Sequence, residues 1–503
     1  MKNKKKFSLI IFYASIFTLF VVKSYYFLDP DFGWHLKMGE ILLSSGVPKT
    51  DPFSYTMPSF SFVDHEWLTN IFIYRAVLII NWSGLAVIAA GLGLIMLFLI
   101  KGKEEKSSSL FIFNLSLFLL AFGSVFPFFG IRPQVLSWFF LAFFMKLIST
   151  KEMLNKYFWL TPIIVLFWAN LHASFALAIF CLGTVVLLRA VKNKFLDLKE
   201  LVVLVLCFGA TLVNPYGLRL WGEVWQQMSD SSLRFRIGEW QPSLLVPIFP
   251  YIFFISLGFL VYRFRRRFKL EELFLFCFFL LQSLLSLRHI PLFLVIAYPL
   301  YLRAFNYLEE FIIKIKFGRE RLLKVSYLIL VISAIFCSFQ VALIFKDTKY
   351  FSENYYPSSA IQYLKSNLPT GEIFSNYGWG GYLIWKLPEK KVFIDGRMPS
   401  WRRKTDFGNE SDNAMAEYLN ILTKEGEFEK AVGKYNITTV LWSNPANLHQ
   451  DFWEKLGENF KGIFTAKQKE KVFSFPDSLE SLGWQEVYKD KTAVIFQKNT
   501  INP

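Results

Sequence analysis

The sequence predicts a mostly helical, polytopic membrane bundle of about eleven spans, followed by an extracytoplasmic α/β domain. Three observations carry that prediction. The 503 residues are 54% hydrophobic and include 57 Phe, a composition suited to lipid rather than water. Apolar stretches long enough to cross a bilayer recur through residue 345. After them comes a tail without cysteine in which helix and strand signals alternate.

The apolar stretches lie near residues 7–27, 84–100, 109–129, 133–149, 157–171, 173–189, 199–214, 248–263, 270–287, 290–305 and 325–345. Basic clusters separate them: KNKKK at the start, KGKEEK at 101–106, KEMLNK at 151–156, RAVKNK at 189–194, YRFRRRFK at 262–269 and KIKFGRERLLK at 314–324. With eleven spans, all six clusters fall on one side, and positive loops stay cytoplasmic. The formal charge of +16 is therefore a topology signal and does not imply nucleic acid as a partner. The expected location is the cytoplasmic (inner) membrane, with the N-terminus cytoplasmic and the tail extracytoplasmic. The first span lacks a small-residue cleavage site and reads as an uncleaved anchor.

Two parts follow from this pattern: a bundle over 1–345 carrying a large first outer loop (28–83), and a soluble α/β domain over 346–503. In the tail, SSAIQYLKSNL opens with serines suited to a helix start. EIFSNY, KKVFIDGR and ITTVLWS read as strands, GGYLIWKL as a short element between the first two, and WQEVYKDKTAVIFQK as a hairpin turning at Lys489-Asp490. All four cysteines (Cys181, Cys207, Cys277, Cys337) fall inside predicted spans, which excludes a disulfide framework or a CxxC metal site in the outer domain.

Polar chemistry collects at the outer ends of the spans. Four of the five histidines lie there: His35, His65, His172 and His289. Beside them stand Arg132, Asn170, Glu239 and Arg288, while the span centres are nearly free of charge. An ion-coupled transporter needs polar residues near the midplane. An enzyme working at the outer surface does not.

The first outer loop is the densest part. DPDFGWHLKMGE places Asp29, Asp31 and His35 in one short run, and DHEW adds Asp64, His65 and Glu66. A helix from Asp31 onward puts Asp31 and His35 on one face, with Pro30 tolerated at its start and Asp29 available as N-cap. A carboxylate pair here can act as general base or, with His35, hold a divalent cation such as Mg²⁺ or Mn²⁺. No cofactor is required by the pattern. DHEW precedes an apolar run read as an interfacial helix over 67–82, and Asp64 and Glu66 also suit the positive end of its dipole. Arg132, Arg288 and His289 are candidates to grip a phosphate, because the guanidinium fork matches phosphate oxygens; snorkelling to the headgroup level is the alternative. Asn170, His172 and Glu239 complete the candidate substrate-binding set. A carboxylate together with a phosphate clamp at the outer bilayer surface suits a sugar carried on a polyprenyl phosphate or diphosphate.

These residues resemble the GT-C glycosyltransferases, integral membrane enzymes that use lipid-linked sugars. The shared features are the multi-span bundle, the acidic first outer loop with interfacial helices, and a soluble domain after the last span. DPDFGWHLKMGEILLSSG is similar to the first-loop pattern of the oligosaccharyltransferase catalytic subunit, which implies Asp29 as the catalytic acid. SNYGWGGY resembles that subunit's acceptor motif, but Asn376 stands where its acid would be and two tryptophans are absent. The chain also looks like bacterial membrane proteins with DPDxWWH, HEW and FIDGR motifs. In FIDGR, Asp395 and Arg397 fall on a turn at a strand end, a common ligand position, or pair with each other as turn chemistry.

The resemblance implies transfer of a sugar from a polyprenyl-linked donor to a glycan, lipid or protein acceptor, with the bilayer as the further partner. A lipid-linked glycan transporter and a non-catalytic envelope assembly protein are the alternatives.

Overall fold

The structure is a computed structural model that describes residues 2–102, 107–230, 237–242, 249–315, 317–346, 351–403, 408–444 and 475–498. Part of the KGKEEK cluster (103–106) and the tail between 444 and 475 lie outside the described residues. The chain forms two compact units. One comprises Met1–Tyr25 and Ile80–Asp347, the other Tyr26–Ile79 and Thr348–Pro503. The first outer loop thus belongs with the tail, whereas the sequence reading attached it to the bundle.

In the first unit every apolar stretch forms a helix: Lys2–Tyr26, the part of Trp67–Lys101 after residue 80, Ser108–Val125, Pro133–Ile148, Leu160–Leu171, Ala176–Asn193, Leu198–Thr211, Phe249–Arg263, Leu270–Leu285, Ile290–Ile312 and Gly318–Lys346. Among the described residues, six helices are long and apolar enough to cross a membrane by length and composition, and the protein is a multi-pass membrane protein. The split between 171 and 173 is present: His172 is extended (φ −164°, ψ 142°), and the chain restarts through a 3₁₀ turn at Ala173–Phe175. The segment after 214 holds a further helix, Arg219–Ser229. At the opposite helix ends Arg189 donates to Glu200 (2.8 Å), Glu271 (3.3 Å) and the Ile148 carbonyl (3.1 Å), joining four helices through one half-buried guanidinium.

In the second unit, strands β1 (Glu372–Ser375), β2 (Ile437–Ser443), β3 (Trp484–Lys489) and β4 (Ala493–Lys498) form a sheet of order β1-β2-β4-β3. β1 and β2 are parallel, the other two pairs antiparallel. The predicted helix is Ser358–Ser366 and GGYLIWKL is the helix Gly380–Lys386.

KKVFIDGR is not a strand of this sheet. It makes a single parallel bridge, Ser54 with Val392, because its partner is the first outer loop: Val392 N–H donates to Phe53 (3.0 Å) and Tyr55 N–H to Val392 (3.1 Å). Thr56 Oγ1 adds a bond to the Phe393 carbonyl (2.6 Å), and Tyr55 Oη one to the Ile373 carbonyl (3.0 Å). The loop's own helices are Phe32–Ser44 and the start of Trp67–Lys101, which breaks at Asn81, a left-handed residue (φ 56°), close to the predicted limit of 82.

Candidate functional site

Helix Phe32–Ser44 begins where sequence placed it, but its N-cap is Asp31, not Asp29. Asp29 instead closes the preceding turn: its Oδ1 accepts the Asp31 N–H (3.0 Å) and its carbonyl the Phe32 N–H (3.0 Å), the local pattern that Asp favours before a helix. Asp31 makes no capping bond with its side chain. Its carboxylate lies over the FIDGR turn, where a Cβ on Gly396 would fall onto Oδ1, 2.7 Å from Cγ and 3.0 Å from Oδ2.

One helical turn on, His35 is buried and its ring lies 3.7 Å from that of Trp34. Gly39, a further turn along the same face, lets this helix cross the next one: a Cβ there would fall onto the Asn70 carbonyl. The crossing sets Asn70 opposite His35. Asn70 Nδ2 donates to Asp64 Oδ2 (2.8 Å), and its Oδ1 meets His35 Nδ1 at 2.6 Å. An ionised carboxylate only accepts, so the amide must turn its NH₂ toward Asp64 and its oxygen toward His35. That makes His35 Nδ1 the donor. Nε2 then faces Glu66 Oε2 at 3.7 Å, and His65 Nε2 lies 3.8 Å from Glu66 Oε1. Asp64, Asn70, His35, Glu66 and His65 form one chain of polar groups.

Burial pushes the Asp64 carboxyl up to about 6, against the opposing pull of the Glu66 N–H, Asn70 and Arg397. The folded protein therefore holds this proton more tightly than the unfolded chain, whose carboxyl titrates near 3.8. The resulting stabilisation is fully present below that value and is lost as pH rises through about 6. Asp64→Asn removes the dependence. Between pH 4 and pH 7 the variant should gain on the wild type by roughly 2 kcal/mol in denaturant unfolding, and a gap that stays constant with pH refutes the assignment.

A second buried cluster lies in the same unit. Arg397 donates from Nε (2.8 Å) and Nη2 (2.6 Å) to Asp395, and from Nη1 (2.8 Å) to Asp51. The rings of Phe53, Phe62, Trp401 and Trp34 surround the guanidinium at 4.7–5.8 Å. All three side chains are buried, and Asp51 also accepts the Phe53 and Ser54 N–H groups. Asp395 and Arg397, expected to bind substrate, are bonded to the protein itself and clasp the first loop to the tail.

In the bundle unit, Arg132 meets Glu239 with both terminal nitrogens (2.5 and 2.9 Å). Arg288 lies over the Trp240 ring at 5.1 Å, and His289 packs edge-on to that ring at 6.2 Å. Ser286 Oγ donates to the Glu239 carbonyl (3.3 Å). Burial acts to raise the Glu239 carboxyl, and Arg132, Arg288 and Lys23 together outweigh it, holding the group below the usual carboxylate range. Three cations around one carboxylate leave an excess of positive charge. Arg132, Glu239, Arg288 and His289, separate in sequence, thus form one group.

Asn170 and His172 do not join it. Asn170 Nδ2 donates to the Leu166 (2.8 Å) and Val213 (2.9 Å) carbonyls, tying two helix ends. His172 Nδ1 is shared by Ser137 (2.7 Å) and Ser174 (2.9 Å), as is the Trp168 indole N–H. Among the described residues no three His, Cys, Asp or Glu side chains converge to hold a metal ion.

No protein-family model matches the chain, and no curated protein matches its sequence. Among solved structures it is similar to that of ArnT from Cupriavidus metallidurans bound to undecaprenyl phosphate, over 98% of both chains, with a TM-score of 0.51 and 11% identity. The chain shares its overall fold with that protein. Within that fold, sequence reasoning missed Asn70, Asp51, Trp240 and Lys23 as members of these groups. Asn70 carried a usable signal, a lone amide in the apolar run WLTNIFIY, since a buried amide needs partners. Asp51 carried a weaker one, an acid in a loop that otherwise reads as turns.

Proposed function

We propose that the protein is a glycosyltransferase of the extracytoplasmic face of the inner membrane. It would move a sugar from a polyprenyl-(di)phosphate donor to an acceptor hydroxyl or amide. The gathering of Arg132, Arg288 and Lys23 around Glu239 carries this reading, in a chain that shares its fold with a protein crystallised with undecaprenyl phosphate.

In the proposed reaction Asp31 takes the acceptor proton, and the freed oxygen or nitrogen attacks the anomeric carbon. The bond from that carbon to the phosphate oxygen breaks, and polyprenyl (di)phosphate leaves. Arg132 and Arg288 stabilise the charge that develops on the leaving group, as preorganised cations do in a partly dry site. The turn bond made by the Asp29 carboxylate supports Asp31 over Asp29 as the base. His35, with its tautomer set by Asn70 and Asp64, and the pair His65 and Glu66 would orient the acceptor. Asp395 and Arg397 would hold the loop that presents these groups.

The test compares envelope glycans of a strain lacking the protein with those of its parent by mass spectrometry. The expected result is a missing sugar and an accumulated lipid-linked donor, with Arg288→Ala restoring the sugar only partly. A precursor trapped on the inner leaflet would point to a transporter, and unchanged glycans to an assembly protein. Membranes assayed with EDTA, then with Mg²⁺ or Mn²⁺, test the divalent-cation expectation: a loss restored by metal assigns an ion to the reaction.

A further inference from the structure

We infer that the turn Asp395–Gly396–Arg397 is a positioning element for the Asp31 carboxylate, and that Gly396 is its contact point. The inference rests on the reading of Asp31 as the base.

The backbone on both sides of Asp31 is held by backbone. A Cβ on Gly381 would fall onto the Pro30 carbonyl oxygen, and one on Gly33 onto the Gly381 carbonyl oxygen, 2.7 Å from its carbon. Only residues without a side chain permit so close an approach. Helix Phe32–Ser44 and helix Gly380–Lys386 therefore meet main chain to main chain, at the residues immediately before and two after Asp31. Its Cα has little room to shift.

The carboxylate meets an equally fixed partner. It occupies the volume in which a Gly396 side chain would stand. The turn cannot yield, because the residues flanking Gly396 are the buried, mutually bonded Asp395 and Arg397. Arg397 is further anchored on Asp51 and enclosed by four aromatic rings. The main chain fixes where the acid starts, and the turn fixes where its oxygens end. A misplacement of about 1 Å at a reacting group lowers turnover roughly 100-fold, so a base gains most from such a support. A contact with a packing role alone would affect stability and leave the chemical step unchanged in the folded fraction.

The test uses the full-length protein in nanodiscs, the lipid-linked sugar fraction extracted from the deletion strain as donor, and that strain's membranes as acceptor. Gly396→Ala adds one methyl where the carboxylate lies. It should lower kcat about 100-fold and leave KM for the lipid fraction within about threefold. Added to Asp31→Asn, it should slow the reaction no further, because its effect passes through Asp31. Asp31→Glu leaves the turn untouched and keeps the charge, so it serves if Gly396→Ala fails to fold; it too should lose about 100-fold in kcat. If Asp31→Asn is inactive while Gly396→Ala or Asp31→Glu turns over normally, the positioning role is wrong and the base assignment stands. A fully active Asp31→Asn overturns the base assignment itself.

Discussion

Asp31→Asn is expected to lower sugar transfer by about three orders of magnitude while the protein inserts and folds as before. Asparagine has the shape of aspartate, so it still fits over Gly396 and preserves the helix start at Phe32. It cannot take a proton. The loss should therefore appear in kcat, with unchanged binding of the lipid-linked fraction and an unchanged melting temperature. Asp29→Asn should behave differently. Its amide oxygen can still accept the Asp31 N–H that the carboxylate accepts at 3.0 Å, so its activity should stay within about tenfold of the wild type, the scale of a lost local bond. The reverse ranking would move the base to Asp29, the residue implied by the oligosaccharyltransferase resemblance. Normal activity in both variants would remove the first-loop acids from the reaction altogether.

The helices of the bundle were legible because lipid-facing and protein-facing sides are both apolar, so each span reads as an unbroken hydrophobic run regardless of its neighbours. Even the short break at His172 left a mark in the sequence, as polar residues (Asn170, His172, Ser174) between two apolar runs. That Arg132, Glu239, Arg288 and His289 lie at span ends was legible for a related reason. A charged side chain in so apolar a bundle is confined to the span ends.

The contents of the second unit were less legible. Arg397 and Asp51 are 346 positions apart, and nothing local at FIDGR distinguishes a ligand turn from a clasp. The FIDGR segment read as a strand because Val392, Phe393 and Ile394 are apolar and buried, yet its hydrogen bonds go to the first outer loop. Asn170 and His172 carry the chemistry of a substrate site, and Asn170 is bonded to the Leu166 and Val213 carbonyls while His172 is bonded to Ser137 and Ser174. A single sequence cannot tell a polar cap from a ligand when both need the same groups in the same place.

Arg397→Met should be the most destabilising single change in the second unit, by about 3–5 kcal/mol. Methionine keeps much of the volume among Phe53, Phe62, Trp34 and Trp401 but leaves Asp51 and Asp395 facing one another without their cation. Both carboxylates are buried. Backbone N–H groups still reach them, from Phe53 and Ser54 to Asp51 and from residue 397 to Asp395, so the unit is weakened rather than emptied of bonds. Lysine should not rescue it, because one ammonium cannot make the three-way fork. The combination Asp51→Asn, Asp395→Asn and Arg397→Met should recover most of the stability, since removing a whole buried ion cluster costs far less than stranding part of it. That neutral variant also decides what the clasp is for. If the cluster only holds the loop, sugar transfer returns with stability. If Arg397 or Asp395 contacts substrate, the protein folds and transfer stays lost.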